Sequence, residues 1–282
     1  MNMSNVKNVV EVEKIRKNFG GKIVLNDVSF NVRKGEIFAL VGPNGAGKTT
    51  TLRCIFGDLN PDEGEIRIFG SKLNSKIKMR MAVMNEGRET FRRLTGQEYI
   101  KIWSNLYPNW NDKLMSSFVL HYGLDLRERV ERYSLGMKTI FMLGLIISSF
   151  SDLLILDEPT HHIDPEIRME MLQVLRDYTS HGDKTIIISS HEIYELEEIT
   201  TSFAIMKEGK IIYSDSIDEA KTKHRIVGKD EKVHEGEIIG ILNDEYLLRV
   251  ENTNTDVGRY PTFREIVLGY LRGKVSFRIF ET

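Results

Sequence analysis

The chain has 282 residues, with 39 Lys plus Arg against 41 Asp plus Glu, a formal charge of -2, 41% hydrophobic and 28% charged residues. That balance excludes an intrinsically disordered or collagen-like chain and allows one large domain or a main domain with a small appendage. The near-neutral total supplies no general electrostatic reason to bind nucleic acid or an anionic membrane surface, and the lone Cys54 can form neither an internal disulfide nor a CxxC metal pair, which fits a reducing cytoplasm.

Residues 1–13 are polar and carry acids, which predicts neither a signal peptide nor a transit peptide. Residues 30–40 alternate and then turn continuously apolar at 37–41, as in a strand buried on both faces of a parallel sheet. A glycine-rich turn follows, then a predicted helix over 48–56, a turn at Pro61-Asp62-Glu63-Gly64 and a short strand over 65–70. From about 76 to 150 the apolar spacing around Tyr99, Ile100, Trp103 and Leu106, and again around Phe118, Leu120 and Leu124, predicts a largely helical insertion.

Residues 153–156 and 185–188 read as two more buried parallel strands, separated by a helix over 165–178. Residues 205–213 read as a hairpin turning at Glu208-Gly209. Beyond about Ser216 a charged tail carries a strand pair, 236–242 and 246–250, and a helix near 263–271 introduced by Pro261. The most apolar stretch, 137–156, is interrupted by Lys138, Asp152 and three serines, so no membrane span is expected.

Gly42-Pro43-Asn44-Gly45-Ala46-Gly47-Lys48-Thr49 matches the phosphate-loop pattern GxxxxGK[ST] and lies between a predicted strand and a predicted helix. Glycines there let backbone N–H groups converge on phosphate at a helix N-terminus, Lys48 adds a point charge and the Thr49 hydroxyl can ligate Mg²⁺. The strand over 153–156 then delivers Asp157 and Glu158 at its C-terminal end, where ligands of open α/β sheets bind. Asp157 is placed to hold Mg²⁺ and Glu158 to polarise an attacking water. The stretch between Lys48 and Asp157 is far longer than one βαβ unit needs, which marks the helical part as inserted.

GPNGAGKTT at 42–50, LLILDEPT at 153–160 and SSHEIYELEEI at 189–199 together resemble the ATP-binding subunit of an ABC transporter over roughly residues 9–215. The resemblance implies an α/β P-loop NTPase core over 1–215, a helical subdomain at about 76–150, and a small accessory α+β region over 216–282. It implies ATP and Mg²⁺ as ligands, with Gly42 to Thr50 around the phosphates and Thr49, Asp157 and Glu86 at the metal. Lys48, Glu158 and His191 become the catalytic set, His191 by its likeness to the family's switch histidine. Phe19 falls where the family stacks an aromatic, usually tyrosine, on adenine; a core Phe is the alternative.

The resemblance also has departures. Tyr133-Ser134-Leu135-Gly136-Met137 stands at the signature usually written LSGGQ; Ser134 and Gly136 would reach the γ-phosphate held by an opposite subunit, and Leu135 would be strained if that position needs positive φ. The Q-loop glutamine is absent, leaving Glu86 or Asn85 in its place. His161-His162-Ile163-Asp164-Pro165 replaces the more usual Asn-Gly-Leu-Asp-Pro, and reads as dimer contacts more readily than as a metal pair.

The partners implied are a separate transmembrane permease and a second ATP-binding subunit, in a homodimer or heterodimer at the cytoplasmic face of the membrane. Arg92, Arg93, Thr95, Tyr99, Trp103 and Tyr107 would form the groove for the permease, with plain core as the alternative for the three aromatics. The pattern resembles ATPases of antimicrobial-peptide or lipopeptide export and immunity. No nucleic-acid partner is expected, although a soluble regulatory or nucleic-acid-associated ATPase of the same superfamily is the competing reading, and a subunit that hydrolyses poorly beside a different ATPase is a third.

Overall fold

The computed structural model describes residues 8–87, 93–161, 163–180, 184–230, 236–251, 253 and 257–274. It begins with two strands that lie almost wholly ahead of the first strand predicted from the sequence, β1 (Asn8–Phe19) and β2 (Lys22–Arg33), paired antiparallel. What reads as one run over 30–40 is the end of β2, a break at Gly35 with φ 81°, and the fully buried β3 (Ile37–Val41). After β3 come the glycine loop, α1 (Lys48–Phe56) and β4 (Glu63–Ile68), which pairs with β1 to give a three-stranded sheet in the order β2-β1-β4.

The stretch read as helical holds α2 (Ser75–Lys78), then a strand, β5 (Met81–Met84), and only then α3 (Gly96–Leu106), α4 (Asp112–His121) and α5 (Leu135–Ser148). Thr95 and Glu98 form a reciprocal capping box on α3, and Asn111 caps α4. α5 is buried continuously over 139–148, which accounts for its nearly unbroken apolar sequence. The predicted strands and helix follow as β6 (Leu153–Asp157), α6 (Pro165–Ser180) and β7 (Thr185–Ser190). α7 (Ile193–Leu196), β8 (Ser202–Lys207) and β9 (Lys210–Ser216) complete the core.

The central sheet runs β5-β6-β7-β3-β8-β9, parallel except for the β8–β9 hairpin. Its two faces feed two cores. Ile37, Ala39 and Val41 face one core with α5, while Phe38 and Leu40 face the other with α1 and the β1–β2 strands. Burial on both faces is why β3, β6 and β7 are apolar without alternation. In register, Asp157 of β6 stands opposite Ser189 of β7, and Ser190 opposite Val41 of β3. The C-terminal ends of three adjacent strands are thereby brought level.

The tail contains α8 (Ile217–Thr222), β10 (His224–Gly228), β11 (Glu237–Leu242), β12 (Glu245–Arg249) and α9 (Phe263–Arg272). The expected strand pair is thus part of a three-stranded antiparallel sheet, β10-β12-β11. α9 lies close on β11: a Cβ on Gly240 would come within 2.1 Å of Gly269 O. Among the described residues no helix is long and apolar enough to cross a membrane.

His224 is fully buried in this unit, with Nδ1 donating to Ala220 O at 2.7 Å and Nε2 accepting from the Tyr270 hydroxyl at 3.0 Å. Burial holds its pKa below the ordinary 6.5. The unfolded chain therefore gains a proton below pH 6.5 that the folded chain resists, so stability falls as the pH drops from 6.5 toward the folded pKa. The slope from this one group is at most about 1.4 kcal/mol per pH unit. Urea titrations on either side of that window should show a shallower pH dependence for His224→Gln than for the parent; equal slopes would remove His224 as the cause.

Candidate functional site

The loop between β3 and α1 is built so that only glycine fits at its ends. Gly45 and Gly47 have φ of 78° and 108°, and a Cβ on Gly42 would stand 2.2 Å from Met206 O. The turn after β8 braces the loop from outside: Gly209 N donates to Ala46 O at 2.9 Å and Asn26 N donates to Gly209 O at 2.8 Å. α1 starts from Gly47, which has no side chain to cap it, and carries no acid in its first turn. Its N-terminal amides and positive dipole end are therefore open to an external anion.

Lys48 is 6% exposed and folds back on the loop, its ammonium donating to Gly42 O at 2.8 Å and Pro43 O at 3.4 Å. Glu158 Oε1 lies 3.7 Å from the same nitrogen. Burial pushes the ammonium pKa down, and the charges of Glu158 and Asp157 oppose that shift.

Asp157 is buried at the end of β6 and accepts from the Ser189 hydroxyl. Burial pushes its carboxyl pKa up, while the Ser189 and Thr49 hydroxyls bonded to it pull the other way. Glu158 has φ 49°, an uncommon backbone for a residue with a side chain, fixed by its N–H, which donates to Ser189 O and Oγ at 3.2 Å each. Its carboxylate is held between two cationic or donor groups, Lys48 Nζ at 3.7 Å and His191 Nδ1 at 2.9 Å. The His161 ring stands edge-on to His191, 5.7 Å between centroids.

These groups open on a cleft of about 360 Å³ lined by Val24, Asn44, Gly45, Gly47, Lys48, Thr49, Thr50, Glu86 and Glu158. One wall offers amides and an ammonium, the pairing that suits phosphate. The Thr49 hydroxyl and the Asp157 and Glu86 carboxylates offer hard oxygens, which suit Mg²⁺ shared with phosphate oxygens. The negative charge of Glu86 acts on both Lys48 and Asp157. The residues present thus fit a triphosphate and its divalent cation.

The other expected site residues are placed as follows. Phe19 is 45% exposed at the end of β1, 5.6 Å from Lys17 Nζ, and is not among the residues lining the cleft; Val24, which the sequence reading did not single out, is. Of the two Q-loop candidates, both exposed, Glu86 lines the cleft and Asn85 does not. Ser134 is the N-cap of α5, its Oγ accepting from Met137 N at 3.1 Å.

Leu135 and Gly136 are the first helical residues of α5, and Leu135 is not among the positive-φ residues. The strain expected there is absent, because the position is an ordinary helical turn. Tyr99 is 3% exposed and belongs to the core, whereas Trp103 and Tyr107 stack at 5.1 Å on the half-buried side of α3. Arg93 has φ 76°; Arg92 and His162 lie outside the described residues. Ser189 is the site residue with the weakest sequence signal, since its role depends on facing Asp157 across the β6–β7 pair.

Comparison with known proteins gives three consistent findings. Residues 25–161 match the family model for the ABC transporter, ABC_tran. The linearmycin resistance ATP-binding protein LnrL of Bacillus subtilis (strain 168) is 33% identical over 212 residues, covering 72% of this chain and 68% of that one, and the bacitracin transport ATP-binding protein BcrA of Bacillus licheniformis is 30% identical, covering 77% and 72%. A solved structure described as the ATP binding subunit of an ABC transporter superposes with a TM-score of 0.70 at 27% identity, covering 76% of this chain and 92% of that chain.

Proposed function

Because the chain belongs to the family of ABC transporter ATP-binding proteins, we propose that it is the ATP-hydrolysing subunit of an exporter, closing as a dimer around ATP to drive a separate transmembrane permease. The observation that carries this reading is the placement of Glu158 on the cleft wall between Lys48, 3.7 Å away, and His191, which stands behind it at 2.9 Å. In this reading residues 1–215 form the ATPase domain and 216–282 an accessory one.

The loop amides and Lys48 bind the β- and γ-phosphates of the substrate. Glu158 takes a proton from the attacking water as the water oxygen bonds to the γ-phosphorus and the bond to the ADP oxygen breaks. Burial and the contact with His191 Nδ1 at 2.9 Å hold that carboxylate in a single orientation. Thr49, Asp157 and Glu86 would hold Mg²⁺, which would supply positive charge to the phosphate oxygens. Phe19 takes the adenine face on the hairpin side. Ser134 and Gly136, at the N-terminus of α5, contact the nucleotide of a second subunit, with Asp164 and His161 near the same interface.

The apolar flank of α3, where Ile102 is 37% and Leu106 58% exposed beside Trp103 and Tyr107, suits a cytoplasmic helix of the permease. Similarity to a linearmycin resistance protein and a bacitracin transport protein favours an antibiotic as cargo, a peptide or lipopeptide being one class that fits. Purifying Glu158→Gln from native cells in mild detergent with Mg-ATP should bring down a stoichiometric membrane-spanning chain. Recovery of soluble proteins or ribosomes alone would overturn the transporter role.

A further inference from the structure

Seven residues, 191–197, connect the cleft to the C-terminal unit, and both ends are pinned. On the cleft side His191 Nδ1 lies 2.9 Å from Glu158 Oε2, and Glu192 accepts from Arg168 of α6 at 3.0 Å. On the other side the Arg264 guanidinium of α9 lies over the Tyr194 ring, 3.8 Å from its centroid. Glu197 Oε1 accepts the first backbone N–H of α9, from Phe263, at 3.2 Å, together with Lys221 Nζ at 3.2 Å. Between these pins is α7, four residues long, too short to hold a helix by its own hydrogen bonds, so what it packs on sets its position.

α9 is strapped at its far end too. Leu271 O, at its C-terminus, accepts from Lys207 Nζ at 2.8 Å. Lys207 immediately precedes the Glu208-Gly209 turn, whose Gly209 amide donates to Ala46 O of the phosphate loop. A carboxylate at the N-terminus and an ammonium at the C-terminus match the helix dipole, so both straps are electrostatically favourable. One strap belongs to the segment whose His191 contacts Glu158, the other to the strand whose following turn bonds the phosphate loop.

We propose that α9 is a positioning element for the nucleotide site: through Arg264 on Tyr194 and its first amide on Glu197, it holds the segment carrying His191 in register with Glu158. The proposal rests on the reading of His191 as a hydrolysis residue and adds the route by which the C-terminal unit controls it. Arg264 and Glu197 are positioning residues. Their contacts are at the margin of an interface whose attachment comes from Leu196, Ile199, Phe263, Ile266 and Val267, all buried in one cluster. Altering the margin therefore changes register while α9 stays docked.

The test uses the full chain labelled at histidine ¹³Cε1, with the His191 resonance assigned by its loss in His191→Ala. Arg264→Ala and Glu197→Gln should each move the His191 resonance, while the His224 resonance, buried within the C-terminal unit, stays in place and reports an intact fold. In the same variants kcat should fall, by up to about a hundredfold if the misplacement approaches an ångström, with little change in KM for ATP. Lys229→Ala, a control in which the ammonium lost is the one donating to Asn243 O at 2.6 Å, should leave both readouts unchanged.

An unmoved His191 resonance in both variants overturns the proposal, as does a fall in kcat without that movement. The resonance is read without hydrolysis. A wild-type chain that turns over no ATP therefore sinks the hydrolytic reading, and the resonance still decides whether α9 positions His191.

Discussion

Glu158→Gln is expected to lower ATP turnover by about 10²- to 10⁴-fold, the usual contribution of a positioned general base, while ATP binding is kept. The amide matches the carboxylate in shape, so the Ser189 bonds to the Glu158 backbone and the docking of His191 survive. The carboxylate, only 6% exposed and 2.9 Å from His191 Nδ1, is the basic group closest to Lys48 on the cleft wall, and an amide cannot take the proton of an attacking water. Binding should hold or tighten, because the substitution removes a negative charge beside the phosphates. Steady-state phosphate release measured together with the thermal shift given by Mg-ATP separates the two effects. Turnover near that of the parent would remove Glu158 from the role of base.

The parts of the fold that are legible in the sequence share one physical cause. β3, β6 and β7 are buried on both faces, so their continuous apolar runs announce them, and the glycine loop and the acidic pair follow directly at their ends. β1 and β2 are not legible in the same way, because register shifts between Val12 and Ile15 and again near Lys17 break the alternation, and Lys14 turns through φ 48°. β5 is only Met81-Ala82-Val83-Met84, a string that suits a helix as well as a strand; pairing with β6 decides it. β10 escapes because His224 and Arg225, polar residues that usually mark a surface, are buried there with backbone carbonyls and a tyrosine hydroxyl as partners.

The site divides similarly. Lys48, Thr49, Asp157 and Glu158 are local motif positions, so sequence alone nominates them. Val24 and Ser189 enter through tertiary placement, one on a hairpin crossing the cleft and the other through a register across two strands. Leu135 shows the converse: the departure from the family pattern suggests strain, but the residue opens α5 in ordinary helical geometry. The departures at the signature and the Q-loop therefore carry no backbone argument for an inactive subunit, and turnover by the purified chain becomes the deciding quantity.

Lys48→Met is expected to abolish the stabilisation by Mg-ATP without weakening the chain itself. A ligand at a hundred times its Kd stabilises the folded state by about 2.7 kcal/mol, and this term should vanish from the variant's unfolding curve. Methionine fills the same channel with a flexible apolar chain. The acids around Lys48 are not orphaned by its loss: Glu158 keeps its 2.9 Å contact with His191 Nδ1, and Asp157 keeps the Ser189 and Thr49 hydroxyls.

The Lys48 ammonium pKa is lowered chiefly by burial, so in the folded chain its charged form is disfavoured relative to the unfolded chain. At neutral pH, below the unfolded value of 10.5, that mismatch opposes folding, and it fades as the pH rises toward 10.5. Removing the amine removes the mismatch. Urea midpoints without nucleotide should therefore be equal to or above those of the parent, while the ATP-dependent shift is lost. An ATP shift of parental size would show that the phosphates do not depend on Lys48; a lowered midpoint would show instead that its contacts with Gly42 and Glu158 stabilise the fold more than burial of its charge opposes it.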